Sequence, residues 1–200
     1  MILSKDYIEL DDFLPVEEQE KLKQLFTHPS FPWSLSLSSV YGKTTSPDKH
    51  DAVGFFHNMM YAGEKKSEDL PAVWPVLRYF EEATKDRFTI TALNRVRAGL
   101  FTMHPDSTPH GAHTDATFEH WTAVYYVNDS DGDFILYNET FDDYTEDQVI
   151  NADLTIKRKV KPKQGRIVAF NGKHYHCSSY PTEHPLRIAI TFNFKIDTLV

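Results

Sequence analysis

The chain has 200 residues, of which 40% are hydrophobic and 14% aromatic, so it can bury the core of one compact domain. Its 29 acidic and 21 basic residues give a formal net charge of −8, which disfavours a nucleic-acid substrate because the phosphate backbone is repelled. Cys177 is the only cysteine, which excludes an internal disulfide. No stretch approaches the roughly 18 apolar residues of a membrane span, and no signal-peptide pattern is present, so we expect a cytoplasmic protein with no membrane partner.

Residues 1–88 predict two helices joined by loops. The first should begin after Pro15, because V-E-E-Q-E-K-L-K-Q-L-F places acids early and lysines late, and it should end at His28. A second helix should run from about Leu70 to Arg87. Its buried stripe is predicted to contain Val73, Leu77, Phe80 and Thr84. The intervening residues 41–66 are a candidate substrate-covering loop, by position and composition.

Residues 89–200 have the texture of short strands separated by turn signals such as D-S-D-G-D and P-K-Q-G. This order predicts a single domain, residues 1–200, that is mainly β with supporting N-terminal helices. The expected architecture is a double-stranded β-helix, or cupin-like jelly roll, and a plain β-sandwich is the alternative. The predicted strands cover residues 89–102, 121–128, 134–137, 154–160, 166–170 and 187–196.

The last predicted strand alternates most regularly. Arg187 and Asn193 fall on one of its faces, which can line a cavity, and the other face is apolar and can pack in a core. The apolar face comprises Ile188, Ile190, Phe192, Phe194 and Ile196.

Two H-x-D triplets are present, at His104–Asp106 and His113–Asp115. About 1.5 matches to H-x-D or H-x-E are expected by chance in a chain so rich in histidine and acid, so neither triplet alone identifies a site. The second directly precedes the strand W-T-A-V-Y-Y-V-N, where side chains two residues apart can point to the same face and bind one ion.

A third ligand is needed from a distant strand. Two histidines and one carboxylate on one face of Fe(II) leave open coordination positions for a 2-oxo acid and O₂. His176 fits best, because it follows the strand R-I-V-A-F and precedes Arg187 by 11 residues; His174 remains a possible substitute. Arg187 offers a planar guanidinium suited to a carboxylate, although an arginine at a strand start is often only a solvated charge.

Three segments together resemble the Fe(II)/2-oxoglutarate dioxygenase superfamily, and within it the prolyl 4-hydroxylase-like branch. They are H-T-D at 113–115, T-A-V-Y-Y-V-N at 122–128 with G-D-F-I-L-Y at 132–137, and G-R-I-V-A-F-N at 165–171 running on to H-C-S-S-Y-P-T-E-H-P-L-R. The resemblance covers roughly residues 104–194, about half of the chain. The combination is specific, although each segment alone is not.

The resemblance implies that His113, Asp115 and His176 bind iron, and that these three form the catalytic centre. Arg187 then binds the distal carboxylate of 2-oxoglutarate, assisted by Tyr126.

Tyr125 should accordingly face the opposite side of the strand from its neighbour. A further cavity position falls on Met103 or His104, where the family often has tyrosine. Asn193 takes a position next to the substrate. His110 flanks the metal motif and is expected next to the metal ligands or at the surface, and Phe56 is expected in core or loop packing.

The implied reaction couples decarboxylation of 2-oxoglutarate, to succinate and CO₂, with hydroxylation of an unactivated C–H bond by O₂. The implied cofactors are Fe(II), 2-oxoglutarate as co-substrate, O₂, and ascorbate as a candidate reductant. The substrate is expected to be a small molecule or peptide, with a prolyl residue or a free amino acid as first choice. Alternatives are a catalytically silent cupin-like binding module and a nucleic-acid dealkylase, the latter disfavoured by the charge of −8.

Overall fold

The computed structural model describes residues 2–37 and 52–198. Within these ranges the chain forms twelve strands, three α-helices and one 3₁₀ helix. No helix in the described ranges is long and apolar enough to cross a membrane. The elements are β1 (Ile2–Leu3), β2 (Tyr7–Leu10), α1 (Val16–Thr27), β3 (Ser34–Ser36), β4 (Gly54–Tyr61), β5 (Glu64–Lys65), the 3₁₀ helix (Leu70–Val73), α2 (Trp74–Thr84), β6 (Phe88–Thr102), β7 (Trp121–Tyr126), β8 (Phe134–Thr140), α3 (Glu146–Val149), β9 (Ile156–Val160), β10 (Ile167–Asn171), β11 (His174–Ser178) and β12 (Leu186–Thr198).

The strands form two antiparallel sheets. The main sheet has the order β1-β2-β10-β7-β12-β6-β4-β3, with β5 paired to β4, and the small sheet has the order β11-β8-β9. A buried cluster lies between them, with Val124 and Ala189 from the main sheet and Phe134 and Leu136 from the small one. Two packed antiparallel sheets of this kind confirm the predicted mainly β, jelly-roll class.

The other face of the main sheet packs against the helices. Phe26 of α1 and Phe80 of α2 are fully buried in the same cluster as Ile190 and Phe192 of β12. The middle strand β7 is therefore covered on both sides, and all six of its residues are buried. This placement fixes Tyr125 on the helix side and, as predicted, leaves its neighbour on the side of the small sheet.

The N-terminal part contributes more than helical support and loops. The first helix ends at Thr27 as expected, but the second predicted helix begins as a 3₁₀ turn and ends at Thr84. Within the candidate loop, residues 54–61 instead form β4, which pairs with β6; residues 41–51 lie outside the described residues. Short strands such as β2 and β4 are stabilised by their neighbours in the sheet, so a local pattern identifies them poorly.

Gly165 lies in the turn before β10, where it packs against Gln19 of α1, and its replacement should destabilise the fold. It has φ +76°, and a Cβ built there would lie 2.4 Å from the amide oxygen of buried Gln19. Gly63 has the same φ, but its Cβ would meet nothing closer than 3.9 Å. We predict that Gly63→Ala lowers the free energy of unfolding by about 1–2 kcal/mol through backbone strain alone. Gly165→Ala should cost clearly more because of overpacking. Urea unfolding measures both, and equal losses would contradict the role of the close approach.

Candidate active site

Three side chains converge where the two sheets meet. His113 lies just before β7 and forms an isolated antiparallel bridge with His176 of β11; its N–H donates to the His176 carbonyl at 3.0 Å, and the reverse bond is 2.9 Å. Asp115 lies two residues further on. Its Oδ1 is 4.0 Å from His113 Nε2, and its Oδ2 is 3.9 Å from His176 Nε2. One ligand atom from each of the three residues lies within 4.8 Å of the others, a spacing that can hold a metal ion.

Backbone contacts orient both imidazoles for metal binding. Nδ1 of His113 is 3.1 Å from the carbonyl oxygen of Gly111, and Nδ1 of His176 is 3.2 Å from that of His174. A carbonyl oxygen only accepts, so each Nδ1 carries the hydrogen and each Nε2 keeps a free lone pair. Burial lowers the pKa of both imidazoles, that of His176 to about 3, which keeps them in the neutral form that binds metal.

Asp115 is held in place by three strands of the main sheet. Its Oδ1 accepts from a guanidinium nitrogen of Arg95 at 2.5 Å; its Oδ2 accepts from Nδ2 of Asn193 at 2.8 Å and from the hydroxyl of Thr122 at 3.2 Å. Burial by itself would raise the pKa of this carboxyl, but the charge of Arg95 and the hydrogen bond from the amide of Asn193 hold it well below its usual range. The carboxylate is therefore charged although it is buried.

Asn193 consequently has a different position from the one the sequence indicated. It is 2% exposed, and its Nδ2 donates to both Asp115 and the Thr122 hydroxyl. It faces the side of the sheet that was predicted, but it supports the carboxylate from behind and is absent from the lining of the cavity.

Arg187 is the second buried charge of the site. It is 5% exposed, and its Nε donates to the carbonyl of Gly132 at 2.8 Å. Its guanidinium carbon lies 5.6 Å from the ring centroid of Tyr126, whose buried hydroxyl interacts with the guanidinium. Burial lowers the pKa of the guanidinium. Among the described residues no carboxylate forms an ion pair with Arg187. The guanidinium and the Tyr126 hydroxyl therefore present hydrogen-bond donors for an external anion.

The loop after β7 is hydrogen-bonded to the segment that precedes Arg187. Asp131 accepts backbone N–H bonds from Thr182, Glu183 and His184, and a hydroxyl bond from Thr182, all between 2.7 and 3.0 Å. These residues directly precede the strand that carries Arg187. The adjacent Gly132 admits the close approach of the arginine, since a Cβ there would lie 2.8 Å from Arg187 Cδ.

One cavity of about 100 Å³ joins the group of His113, Asp115 and His176 to Arg187. Its lining comprises Phe56, Arg95, Arg97, Phe101, His110, His113, Asp115, Val124, Phe134, His176, Cys177, Ser178, Arg187 and Thr191.

Two predicted cavity residues lie elsewhere. Met103 is 49% exposed, and neither it nor His104 lines the cavity. The His104 ring is 4.8 Å from that of Tyr180, and its Nδ1 accepts from the N–H of Asp106. Strand β6 ends at Thr102, so both residues lie in the segment that follows the strand.

The rival ligands are also placed away from the cluster. The His104–Asp106 triplet forms a local turn in an exposed segment. His174 Nδ1 meets the carbonyl of Asn138, and its Nε2 lies 3.0 Å from Nζ of Lys157. Neither histidine joins the group of His113, Asp115 and His176.

Several lining residues were not singled out as cavity residues from the sequence, among them Phe56, Arg95, Arg97 and Phe101. A signal existed for three of them, because R-V-R-A-G-L-F alternates along β6 and puts both arginines and the phenylalanine on one face. Phe56 gave no such signal, and His110 was expected only from its place beside the metal motif, next to the ligands or at the surface. They come from β4 and from a loop, and only tertiary packing brings them to the cavity.

The comparisons with known proteins agree with this geometry. The sequence profile of the 2OG-Fe(II) oxygenase superfamily matches residues 91–195, just over half of the chain. The chain therefore belongs to this superfamily of oxidoreductases, whose members use Fe(II), 2-oxoglutarate and O₂. No curated protein sequence matches it significantly.

Solved structures of the same fold cover nearly the whole chain. An oxidoreductase of the 2OG-Fe(II) oxygenase family from Burkholderia pseudomallei matches with a TM-score of 0.61 at 12% identity, covering 95% of this chain and 85% of its own. A prolyl hydroxylase from Trichoplax adhaerens, solved with a hypoxia inducible factor peptide, has a TM-score of 0.60 at 14% identity, with 96% and 84% covered. A non-heme alpha ketoglutarate dependent epimerase from nogalamycin biosynthesis has a TM-score of 0.60 at 12% identity, with 96% and 78% covered.

Asp131 provides a pH-dependent test of the hydrogen bonds between the loop after β7 and residues 182–184. Although partial burial would raise its pKa, the hydrogen bonds from residues 182–184 hold it well below the ordinary value of 3.8. A depressed pKa stabilises the fold above the unfolded-state value and loses this effect as the pH falls through the folded-state value. We predict that Asp131→Ala lowers the free energy of unfolding by about 1–2 kcal/mol at pH 7. The deficit should shrink below pH 4 in urea titrations. Asp153→Ala, at an exposed position, should change neither the free energy of unfolding nor its dependence on pH.

Proposed function

We propose that this protein is an Fe(II)/2-oxoglutarate-dependent dioxygenase that hydroxylates an unactivated C–H bond. The observation that carries the proposal is the group of His113, Asp115 and His176, with both Nε2 lone pairs and a charged carboxylate within 4.8 Å. Two imidazoles and one carboxylate are the ligands of non-heme Fe(II) oxygenases, and they leave coordination positions open. A closed four-ligand structural site would need a further donor, and no fourth His, Cys, Asp or Glu joins the group within the described ranges.

Arg187 and Tyr126 are proposed to bind the distal carboxylate of 2-oxoglutarate. The guanidinium forms no ion pair with a carboxylate among the described residues, and the buried tyrosine hydroxyl lies beside it. A dicarboxylate bound by this pair would satisfy both groups, with its 2-oxo acid end directed along the cavity toward the metal ligands. The apolar lining of Val124 and Phe134 keeps the path between them poor in water.

Iron at this site would supply the redox chemistry that couples O₂ to decarboxylation of 2-oxoglutarate, yielding succinate, CO₂ and a hydroxylated product. The chain's own residues bind, orient and exclude water. His113 and His176 supply neutral nitrogen ligands, and Asp115 supplies the anionic one, fixed by Arg95 and Asn193. Ascorbate is the proposed reductant for restoring Fe(II).

A prolyl residue in a peptide or a free amino acid is the proposed substrate. Similarity to the Trichoplax prolyl hydroxylase supports this class at the level of the fold. The acidic chain, with its charge of −8, disfavours the dealkylation of nucleic acid.

The proposal is tested by loading the purified protein with Fe(II) and 2-oxoglutarate without O₂, and then measuring succinate after O₂ and ascorbate are added. We expect a visible charge-transfer band in the anaerobic complex and succinate formation with or without a substrate. His176→Ala should lose the band and the turnover. Arg187→Met should keep metal binding but raise the KM for 2-oxoglutarate by about tenfold or more, because a charged hydrogen bond is lost. Neither band nor succinate from the wild type would favour the silent binding module.

Asn193 gives a second prediction, about the metal ligand that it supports. Asn193→Ala removes the 2.8 Å hydrogen bond to Asp115 without replacing a metal ligand. Loss of such an outer contact typically weakens metal binding by 10–100-fold, and we expect a loss in that range. Titration with Co(II), followed by its visible absorbance, measures the affinity. Asn151→Ala, at an exposed position, is the control and should bind normally. An unchanged affinity in Asn193→Ala would show that Arg95 and Thr122 suffice to fix the carboxylate.

A further inference from the structure

Arg97 is a cation of the cavity for which neither the metal nor 2-oxoglutarate accounts. It lies on β6 and lines the cavity beside the metal-binding cluster. Its guanidinium carbon sits 3.6 Å from the ring centroid of Phe56, so one flat face is stacked on the phenylalanine. Its Nε is buried without a hydrogen-bond partner, and among the described residues no carboxylate forms an ion pair with it. Burial lowers its pKa to about 10, so it carries a charge at neutral pH.

The neighbouring Arg95 differs in this respect. Its charge is matched by Asp115, with a nitrogen-to-oxygen distance of 2.5 Å. The cavity thus contains three guanidinium groups, Arg95, Arg97 and Arg187, but only one carboxylate. Since the chain as a whole has a net charge of −8, this local excess of positive charge is opposite in sign to its surroundings.

Arg97 and Arg187 lie in different parts of the cavity. In the pairing of β12 with β6, Arg187 stands opposite Phe101, whereas Arg97 stands opposite Thr191. Four residues along a strand correspond to roughly 13 Å between these two levels of the sheet. The guanidinium of Arg187 lies near Tyr126, and that of Arg97 lies over Phe56 on the other side of β6. One dicarboxylate held by Arg187 and the metal therefore leaves Arg97 without its anion.

We propose that Arg97 binds a carboxylate of the substrate, and that the substrate is a small free acid such as an amino acid. This inference rests on the proposed function and specifies its substrate class. A guanidinium with one face covered presents its N–H edge, and this planar fork matches a carboxylate in two parallel hydrogen bonds. A residue inside a peptide has no carboxylate on its backbone, so an internal prolyl residue would leave the buried cation unpaired, which is costly.

The position of Arg97 also suits this role. It neighbours Arg95 on the same face of β6, two residues away, and so lies next to the residue that holds the metal's carboxylate ligand. A substrate acid bound there would have its carbon skeleton in the same cavity as His113, Asp115 and His176. The Phe56 and Phe101 rings, 5.9 Å apart, separate this anchor from Arg187 and offer an apolar wall for the skeleton.

The test measures binding, not turnover, so that it does not depend on finding the true substrate first. The full chain is loaded with Mn(II) and 2-oxoglutarate, which prevents turnover, and calorimetry measures the affinity of free L-amino acids. L-proline is included, and each acid is paired with its primary amide. We expect at least one acid to bind about tenfold or more tightly than its amide, the difference that one charged hydrogen bond makes.

In Arg97→Met that preference should vanish, and in Arg97→Lys it should be partly retained, while both variants keep the wild-type affinity for 2-oxoglutarate. Arg78→Met, at an exposed arginine of α2, is the matched control and should behave as wild type. Thermal unfolding of each variant identifies a folding defect, and Arg97→Lys keeps the test informative if Arg97→Met unfolds.

Three results would overturn the inference. The wild type could bind no acid more tightly than its amide, or both Arg97 variants could keep the wild-type preference. The variants could also lose affinity for 2-oxoglutarate while their affinity for the amino acid stays unchanged. Inorganic phosphate is titrated in parallel, and tighter binding of phosphate than of every acid would exclude the carboxylate class. When one of these results is obtained and the wild type still forms succinate without a substrate, only this inference fails. When the wild type forms no succinate, the proposed function fails.

Discussion

A buried, charged carboxylate organises the centre of this protein. Asp115 is removed from water, yet it stays ionised because Arg95, Thr122 and Asn193 donate to its oxygens from three adjacent strands, β6, β7 and β12. Removing any one donor leaves part of a buried charge unsatisfied, and such charges are tolerated only when they are paired and hydrogen-bonded. The registers of the three strands are therefore coupled to the geometry of a single side chain.

The same sheet serves two surfaces at once. Its helix-facing side is a continuous apolar core that contains Phe80, Ile190 and Phe192, and this side holds the strands in a fixed arrangement. Its other side faces the small sheet and bears the polar groups of the cavity. Because side chains alternate along each strand, an apolar core on one face determines which residues can become ligands on the other. The stability of the fold and the precision of the site thus have one origin.

Charge is distributed unevenly in this molecule. The chain is acidic overall, but its cavity is lined by three arginines and a single aspartate. In a water-poor cavity such charges interact strongly with anions and are weakly screened. The division of labour that we propose follows from their partners: Arg95 fixes the metal ligand, Arg187 binds 2-oxoglutarate, and Arg97 awaits the carboxylate of a substrate. His113 and His176 are neutral imidazoles, so they add no positive charge to the cavity.

The sequence alone determined the class of fold and the superfamily, because strand alternation and motif spacing are local properties of the chain. It predicted the set His113, Asp115, His176 and Arg187, which the structure brings to one cavity and for which we propose roles in binding iron and 2-oxoglutarate. It also placed Tyr125 and Tyr126 on opposite faces. Tertiary structure decided what depends on contacts between distant segments. It moved Asn193 behind Asp115, left Met103 and His104 outside the cavity, and made residues 54–61 a strand of the main sheet. It also brought Phe56 of β4 against Arg97 of β6, a pair 41 positions apart whose meeting no local pattern encodes.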